Sequence, residues 1–247
     1  MVGTVIAKVA GSALGATYTM PAADGAAGEF LKTDGSTNLS FGAVAASGFN
    51  QQVVYTTSSG TGGYSPGTSV TKIVVEILGA GGGGSHYNSH GPAVNSGAGG
   101  GYVRKTLTVV STDTMTVTIG AVGGAGATNT GGGNGGDTTF ASVSGTSFTT
   151  LTAGGGGGGS VVNYTPGVSG TATGGDLNVI GAPGRTQNVG SAEGGNSPYG
   201  YGGSASATSV TIPINNGTGY GSGGGGASDS GTNGTGAPGL CIITEYK

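Results

Sequence analysis

Residues 72–84 read Lys72-Ile73-Val74-Val75-Glu76-Ile77-Leu78-Gly79-Ala80-Gly81-Gly82-Gly83-Gly84. The first seven alternate as a β-strand, with Ile73, Val75 and Ile77 on one face and Val74, Glu76 and Leu78 on the other. The next six offer almost no side chains. A strand thus runs directly into polyglycine, and the same event recurs along the chain. Glycine supplies 61 of 247 residues, in blocks such as Gly99-Gly100-Gly101, Gly154 to Gly159 and Gly223 to Gly226. Average usage is about 7%.

Such runs are either disordered or packed backbone to backbone as only glycine permits, because glycine loses the most entropy on ordering. Compositional disorder couples low hydrophobicity with high net charge. Here 7% of residues are charged, the net charge is -3 and 34% are hydrophobic, with mean hydropathy +0.05. Packing is therefore the expectation. Polyglycine adopts an extended threefold helix without internal hydrogen bonds. Buried amides and carbonyls of such a segment must find partners on neighbouring segments. The predicted result is an array of rods with little hydrophobic core.

Several classes drop out. There is no strict Gly-X-Y period and only 8 prolines, which excludes collagen. A single cysteine, Cys241, excludes an intramolecular disulfide framework and a multi-cysteine metal site; a buried inert thiol is expected of it. The N-terminus lacks the pattern of a secretory leader, and no apolar run approaches the ~20 residues that cross a bilayer. A soluble, cytosolically synthesised chain without membrane insertion is expected. Weak acidity argues against a nucleic-acid partner.

The fold expected is all-β: short strands in a small sheet or sandwich carrying polyglycine-II-like loops, with an N-terminal hairpin. Residues 1–24 read as an attachment or oligomerisation segment, 25–71 as a hairpin module and linker, and 72–247 as a glycine-rich β domain. Phe30-Leu31 and Leu39-Ser40-Phe41 flank Asp34-Gly35, a hairpin signal. A lone hairpin cannot bury its apolar face, so copies from other chains, in an intertwined trimer, are expected to cover it. Ser58, Ser59, Gly60, Gly62, Gly63, Pro66 and Gly67 read as a linker. Further strands are expected at 102–110, 115–119, 138–140, 147–151, at 210–214 as an edge because of Pro213, and at 240–246. The last is expected to lie beside 72–78 and close the domain.

The order of these features resembles the glycine-rich C-terminal domains of bacteriophage tail fibres. The resemblance rests on the strand followed by Gly79–Gly84, on Gly99-Gly100-Gly101-Tyr102, on Val117-Thr118-Ile119-Gly120-Ala121-Val122-Gly123-Gly124, on Gly135-Gly136-Asp137-Thr138-Thr139-Phe140, and on the closing Gly236-Ala237-Pro238-Gly239-Leu240-Cys241. It covers roughly residues 72–247. The Gly28-Glu29-Phe30-Leu31-Lys32-Thr33-Asp34-Gly35 stretch is similar to a short module of phage fibre proteins. The resemblance implies a virion appendage, a homotrimer that joins other tail or fibre proteins through its N-terminal segment. Its distal loops would contact a host cell-surface glycan or outer-membrane protein. A purely structural virion component, a decoration or connector, is the first alternative. An ice- or surface-binding protein is the second, disfavoured because the threonines lie mainly in strands.

Candidate recognition residues are His86, Tyr87 and His90, in the stretch with both histidines, and Tyr164, Tyr199, Tyr201 and Tyr220 in glycine-rich loops. Tyrosine offers a large rigid contact area and a hydroxyl at low entropic cost. The alternative for them is covering rods or packing at an interface. Metal binding by His86 and His90 is disfavoured, because histidines four apart face together only on a helix. Catalysis finds little support. Asp113, Asp137, Asp176, Glu193 and Asp229 are scattered singly, whereas glycoside hydrolysis needs two carboxylates held about 5–9 Å apart. Gly221-Ser222-Gly223 lacks the strand-turn-helix context of a nucleophile elbow. No Gly-Lys-Ser/Thr follows any glycine block, so none is a phosphate loop. No enzymatic activity and no cofactor are expected.

Overall fold

A computed structural model describes residues 21, 23, 26–27, 29–33, 38–43, 48–58, 60–88, 94–162, 164–187, 191–204, 215–228 and 231–247. The chain divides into two compact units, Met1–Ser47 and Gly48–Lys247. The described elements are all β.

In the first unit, Glu29–Thr33 pairs antiparallel with Leu39–Ala43, placing Phe30 opposite Gly42 and Leu31 opposite Phe41. This is the expected hairpin; its Asp34-Gly35 turn lies outside the described residues, as does most of the 1–24 segment. Phe30 and Leu31 remain 63% and 45% exposed, as expected of a two-stranded sheet.

The second unit begins as a sandwich. Sheet I has the order Leu177–Val179, Tyr102–Thr108, Lys72–Leu78, Leu240–Tyr246, Phe49–Tyr55. Sheet II runs Ala172–Thr173, Leu151–Ala153, Thr138–Ser144, Thr114–Thr118, Gly60–Tyr64. The pairs within both sheets are antiparallel. Alternation along the strands delivers Ile73, Val75, Ile77, Val103 and Ile243 from sheet I, and Met115, Val117, Phe140 and Leu151 from sheet II, into one core. Lys72–Leu78 and the terminal strand do pair, with Ile243 opposite Val75. Val74 and Leu78, on the other face, are buried too.

Three local expectations change. The stretch read as a linker contains Gly60–Tyr64, an edge strand whose register slips between Gly60 and Tyr64. Gly60 and Gly62 have φ of 74° and 68° there, a left-handed backbone open mainly to glycine, and Tyr64 anchors the strand by entering the core. Phe49–Tyr55, not anticipated, pairs along Leu240–Tyr246. The strand expected at 147–151 instead starts at Leu151. Gly145 turns the chain at φ 86°, and Phe148 stacks on Phe140, ring centroids 5.5 Å apart, so it fills space as an anchor rather than as part of a ladder. The strand expected at 210–214 lies outside the described residues.

Polyglycine rods rise from one end of the sandwich. The rod 79–85 extends Lys72–Leu78, 95–101 leads into Tyr102–Thr108, 154–159 leaves Leu151–Ala153, and 234–239 enters Leu240–Tyr246. Hydrogen bonding follows a three-residue period. The amides of Gly79, Gly82 and Ser85 donate to the carbonyls of Gly101, Ala98 and Asn95, each at 2.9 Å. Those of Ala80 and Gly83 go to Gly136 and Gly133, and those of Gly81 and Gly84 to Ala237 and Gly234. The carbonyls repeat the pattern. Ala80 and Gly83 accept from Gly156 and Gly159, Gly81 and Gly84 from Gly123 and Gly126, and Gly82 and Ser85 from Gly224 and Ala227. Rod 79–85 is thus the centre of a hexagon, taking three neighbours as acceptors and three as donors. This is the lateral pairing expected of threefold polyglycine.

Candidate functional site

Each rod that leaves the sandwich must turn back, and the connections gather at the far end of the bundle. Ladder pairs tie them together. Ala227 and Ser228 pair parallel with His86 and Tyr87, Ser191 and Ala192 pair with Ala227 and Gly226, and Thr186 and Gln187 pair with Asn95 and Val94. The His86 amide donates to Thr130 at 3.2 Å. The Asn88 amide donates to Asn129 Oδ1 at 2.9 Å. Asn129 holds a φ of 59°, which asparagine tolerates better than most residues.

A buried polar layer supports these loops. Ser85, Asn95 and Ser96 are fully buried. Asn95 donates from Nδ2 to the Ser160 carbonyl and accepts from Thr186 Oγ1 at 2.6 Å. Its carbonyl accepts from Ser85 Oγ at 2.9 Å. Ser96 Oγ donates to the Glu193 carbonyl at 2.6 Å and accepts from the Arg185 amide at 2.7 Å. Asn233 Nδ2 reaches the carbonyls of Gly84 and Gly126, both at 2.8 Å, closing two rod ends at once. Loops that are distant in sequence are thereby fixed to one base. These polar residues were not among the sequence candidates. Ser85 directly follows the Gly81–Gly84 block, and Ser96 and Asn233 each directly precede a glycine, but Asn95 carries no such mark.

The structure divides the candidate residues into two groups. His86, Tyr87 and Tyr164 stand at the distal end. His86 and Tyr87 are half-buried, whereas Tyr164 is 49% exposed with φ 52°, its carbonyl accepting from Thr186 Oγ1. His90 lies outside the described residues. Tyr199, Tyr201 and Tyr220 sit instead on the flank, near sheet I. The Tyr199 hydroxyl donates to Glu76 Oε1 at 3.3 Å, and its ring packs 6.3 Å from that of Tyr102, whose hydroxyl also donates to Glu76 Oε1. Burial, with the Glu76 carboxylate adding to it, pushes both phenols above their ordinary range, so both remain donors. Tyr220 is half-buried, and its amide donates to the Tyr199 carbonyl.

The described acids act on the scaffold. Asp137 Oδ1 accepts from the Gly155 amide at 2.9 Å, and Asn134 Oδ1, three residues earlier, accepts from Gly158 at 2.9 Å. Both stand in for a missing rod at the bundle edge. Asp113 accepts from the amides of Val110 and Thr146. Asp176 accepts from the Thr106 amide and pairs with Lys105, and Glu193 pairs with Arg185. Asp229 lies outside the described residues.

The pattern that defines one protein family, described as a glycine-rich domain, matches residues 56–246. The match takes in sheet II, the rod bundle and all of sheet I except Phe49–Tyr55, which lies just before it. No curated protein matches the chain.

Proposed function

The chain belongs to the glycine-rich domain family, and on that premise we propose that it is a non-enzymatic fibre protein of a phage virion whose distal loops bind a receptor on the host surface. One observation carries the reading: segments from separate parts of the chain, at 86–88, 94–95, 127–130, 160–162, 164–166, 186–187, 191–192 and 227–228, converge on one end of a hydrogen-bonded bundle. Loops held on a rigid scaffold are where binding residues concentrate. They present Tyr, Asn, Ser and Thr, the composition of adaptable recognition surfaces. The rods beneath pair mainly backbone to backbone, so exposed loop side chains such as Tyr164 can change while Asn95 and Asn233, which hold the rod ends, stay. Such loops can change to suit a host receptor while the scaffold persists.

In this reading the N-terminal unit joins the chain to copies of itself and to other virion proteins, and the exposed Phe30 and Leu31 support a homotrimer assembled there. Sedimentation of the purified chain measures that stoichiometry.

Fluorescently labelled chain, incubated with intact cells of the phage's host, tests the recognition role. It is expected to label the cells and to reduce virion adsorption when added first. A variant with residues 160–166 replaced by a Gly/Ser connection should lose both effects and keep its unfolding midpoint. A folded chain that neither labels cells nor competes rejects the receptor role and leaves a structural virion component.

A further inference from the structure

Among the described residues, Tyr201 is the most exposed large hydrophobic side chain, at 78%. Its backbone is nevertheless pinned on both sides. The Tyr201 amide donates to Thr218 Oγ1 at 3.2 Å. Its carbonyl accepts from the Thr218 amide at 2.9 Å and from Thr218 Oγ1 at 3.1 Å. The residues before and after it admit no side chain. A Cβ on Gly200 would lie 1.9 Å from the Thr218 oxygen, and one on Gly202 1.8 Å from the Gly194 oxygen. The Gly202 amide is held by Asn196 Oδ1 at 2.8 Å. The aromatic ring therefore projects into solvent from a backbone that was ordered during folding, and a ligand would bear little of that ordering cost.

Two open hollows meet at Tyr201. One, of about 320 Å³, is walled by Ser197, Tyr199 and Thr218. The other, of about 380 Å³, is walled by Arg185, Glu193, Asn196 and Ser204. Tyr201 belongs to both walls. Arg185 and Glu193 pair at 3.7 Å with side chains 68% and 65% exposed, so the wall is balanced in charge and still offers donors and acceptors. A nucleic acid would call for an excess of cations, and a drug-like or lipid ligand for a deeper apolar pocket. A neutral sugar fits both features: its C–H face lies on an aromatic ring while its hydroxyls, each donor and acceptor, meet a mixed polar wall.

We infer that Tyr201 is the stacking platform of a lateral binding site for a neutral linear oligosaccharide, which passes over the ring with a sugar unit seated in each hollow. The site borders one distal connection, since Arg185 and Glu193 stand next to Thr186 and Ala192, but it does not rest on the receptor reading given to the distal loops.

The test uses the full chain and a panel of linear oligosaccharides of glucose, galactose, mannose or N-acetylglucosamine, with uronic-acid oligomers beside them, read by saturation-transfer NMR and titration calorimetry. At least one neutral oligomer should bind. Tyr201→Ala should weaken it by about tenfold and Tyr201→Phe by less than about threefold, with unchanged unfolding midpoints because the ring is exposed. A double Arg185→Ala, Glu193→Ala variant should also weaken binding. The 160–166 replacement should leave this affinity intact, so failure of the distal-loop reading and failure of this one are separable. The inference is overturned if no neutral oligomer binds, if only the uronic-acid oligomers bind, or if affinity survives Tyr201→Ala.

Discussion

Gly81 and Ser222 meet so closely that a Cβ on Gly81 would lie 1.8 Å from the Ser222 carbonyl oxygen. Real Cβ atoms do not approach a backbone oxygen to that distance, so Gly81→Ala must push two rods apart. Overpacking of this kind typically costs about 1–3 kcal/mol, and here the upper end is expected because the obstacle is backbone. Gly124 provides the control. It lies in a neighbouring rod, yet a Cβ there meets nothing within 4 Å, and its φ is not positive. Gly124→Ala should change stability by less than about 0.5 kcal/mol. Urea unfolding of the two variants compares them, and equal losses would remove lateral contact as the reason for glycine.

The hexagon around rod 79–85 also predicts an exchange pattern. Amides of Gly81 to Gly84 donate to other rods and should exchange slowly. The Gly158 amide depends instead on the Asn134 side chain. Asn134→Ala should speed exchange at Gly158, leave Gly157 (which donates to the Val168 carbonyl) protected, and cost about 1 kcal/mol. Asn134→Asp keeps an acceptor and should restore protection. Uniformly fast exchange along both rods would show that the bundle does not persist in solution.

Within the sandwich, the Tyr64 hydroxyl donates to Glu245 Oε1 at 3.1 Å. Glu245 is 1% exposed, and its Oε2 accepts from Asn50 Nδ2 at 2.8 Å and Gln51 Nε2 at 3.0 Å. Burial first, then the Glu245 carboxylate, pushes the Tyr64 phenol up, so it remains a donor. Tyr64→Phe removes one of three donors and should cost about 1–3 kcal/mol. Glu245→Ala strands all three and should cost more than Tyr64→Phe, as read by the thermal midpoint.

Asp113 is fully buried. Burial raises its pKa, but hydrogen bonds from Val110 and Thr146 outweigh that and hold it below its ordinary 3.8. A carboxylate depressed in the folded state stabilises it above the unfolded pKa. The contribution should therefore be complete above about pH 4 and fade as pH falls through the lower, folded value. Unfolding followed across that window should show a steeper acid loss in the native chain than in Asp113→Asn, which cannot titrate. Equal slopes would reject the assignment.

Cys241 is fully buried in the terminal strand, and burial pushes its thiol well above the usual range. Iodoacetamide should leave the folded chain unmodified at pH 8 and alkylate it in urea. Native-state alkylation would mean that the terminal strand opens.

Much of the scaffold was legible in the residues. Alternation marked strands at 72–78, 102–110 and 115–119, which the structure forms as Lys72–Leu78, Tyr102–Thr108 and Thr114–Thr118, because period-two burial is written in side-chain type. The contrast between uncharged glycine blocks and well-formed strands indicated packing rather than disorder. Gly60–Tyr64 was not legible: its strand is anchored by Tyr64 alone, among glycines that read as a linker. Nor was the division of the tyrosines, since Tyr164 and Tyr201 both read as residues of glycine-rich loops and stand in different parts of the fold.

The sequence by itself determined that this chain would be all-β, that its glycine runs would pair laterally, and that its first and last strands of the glycine-rich region would meet. Only the tertiary structure decided which rod lies beside which, which glycines are closed to a methyl group, and which loops share an end. The reason is physical. Rod pairing uses backbone amides and carbonyls, which are alike at every glycine, so the glycine blocks carry no code for their partners. The strands anchoring each rod, and the few Asn, Ser and Asp side chains that close the bundle, set the arrangement.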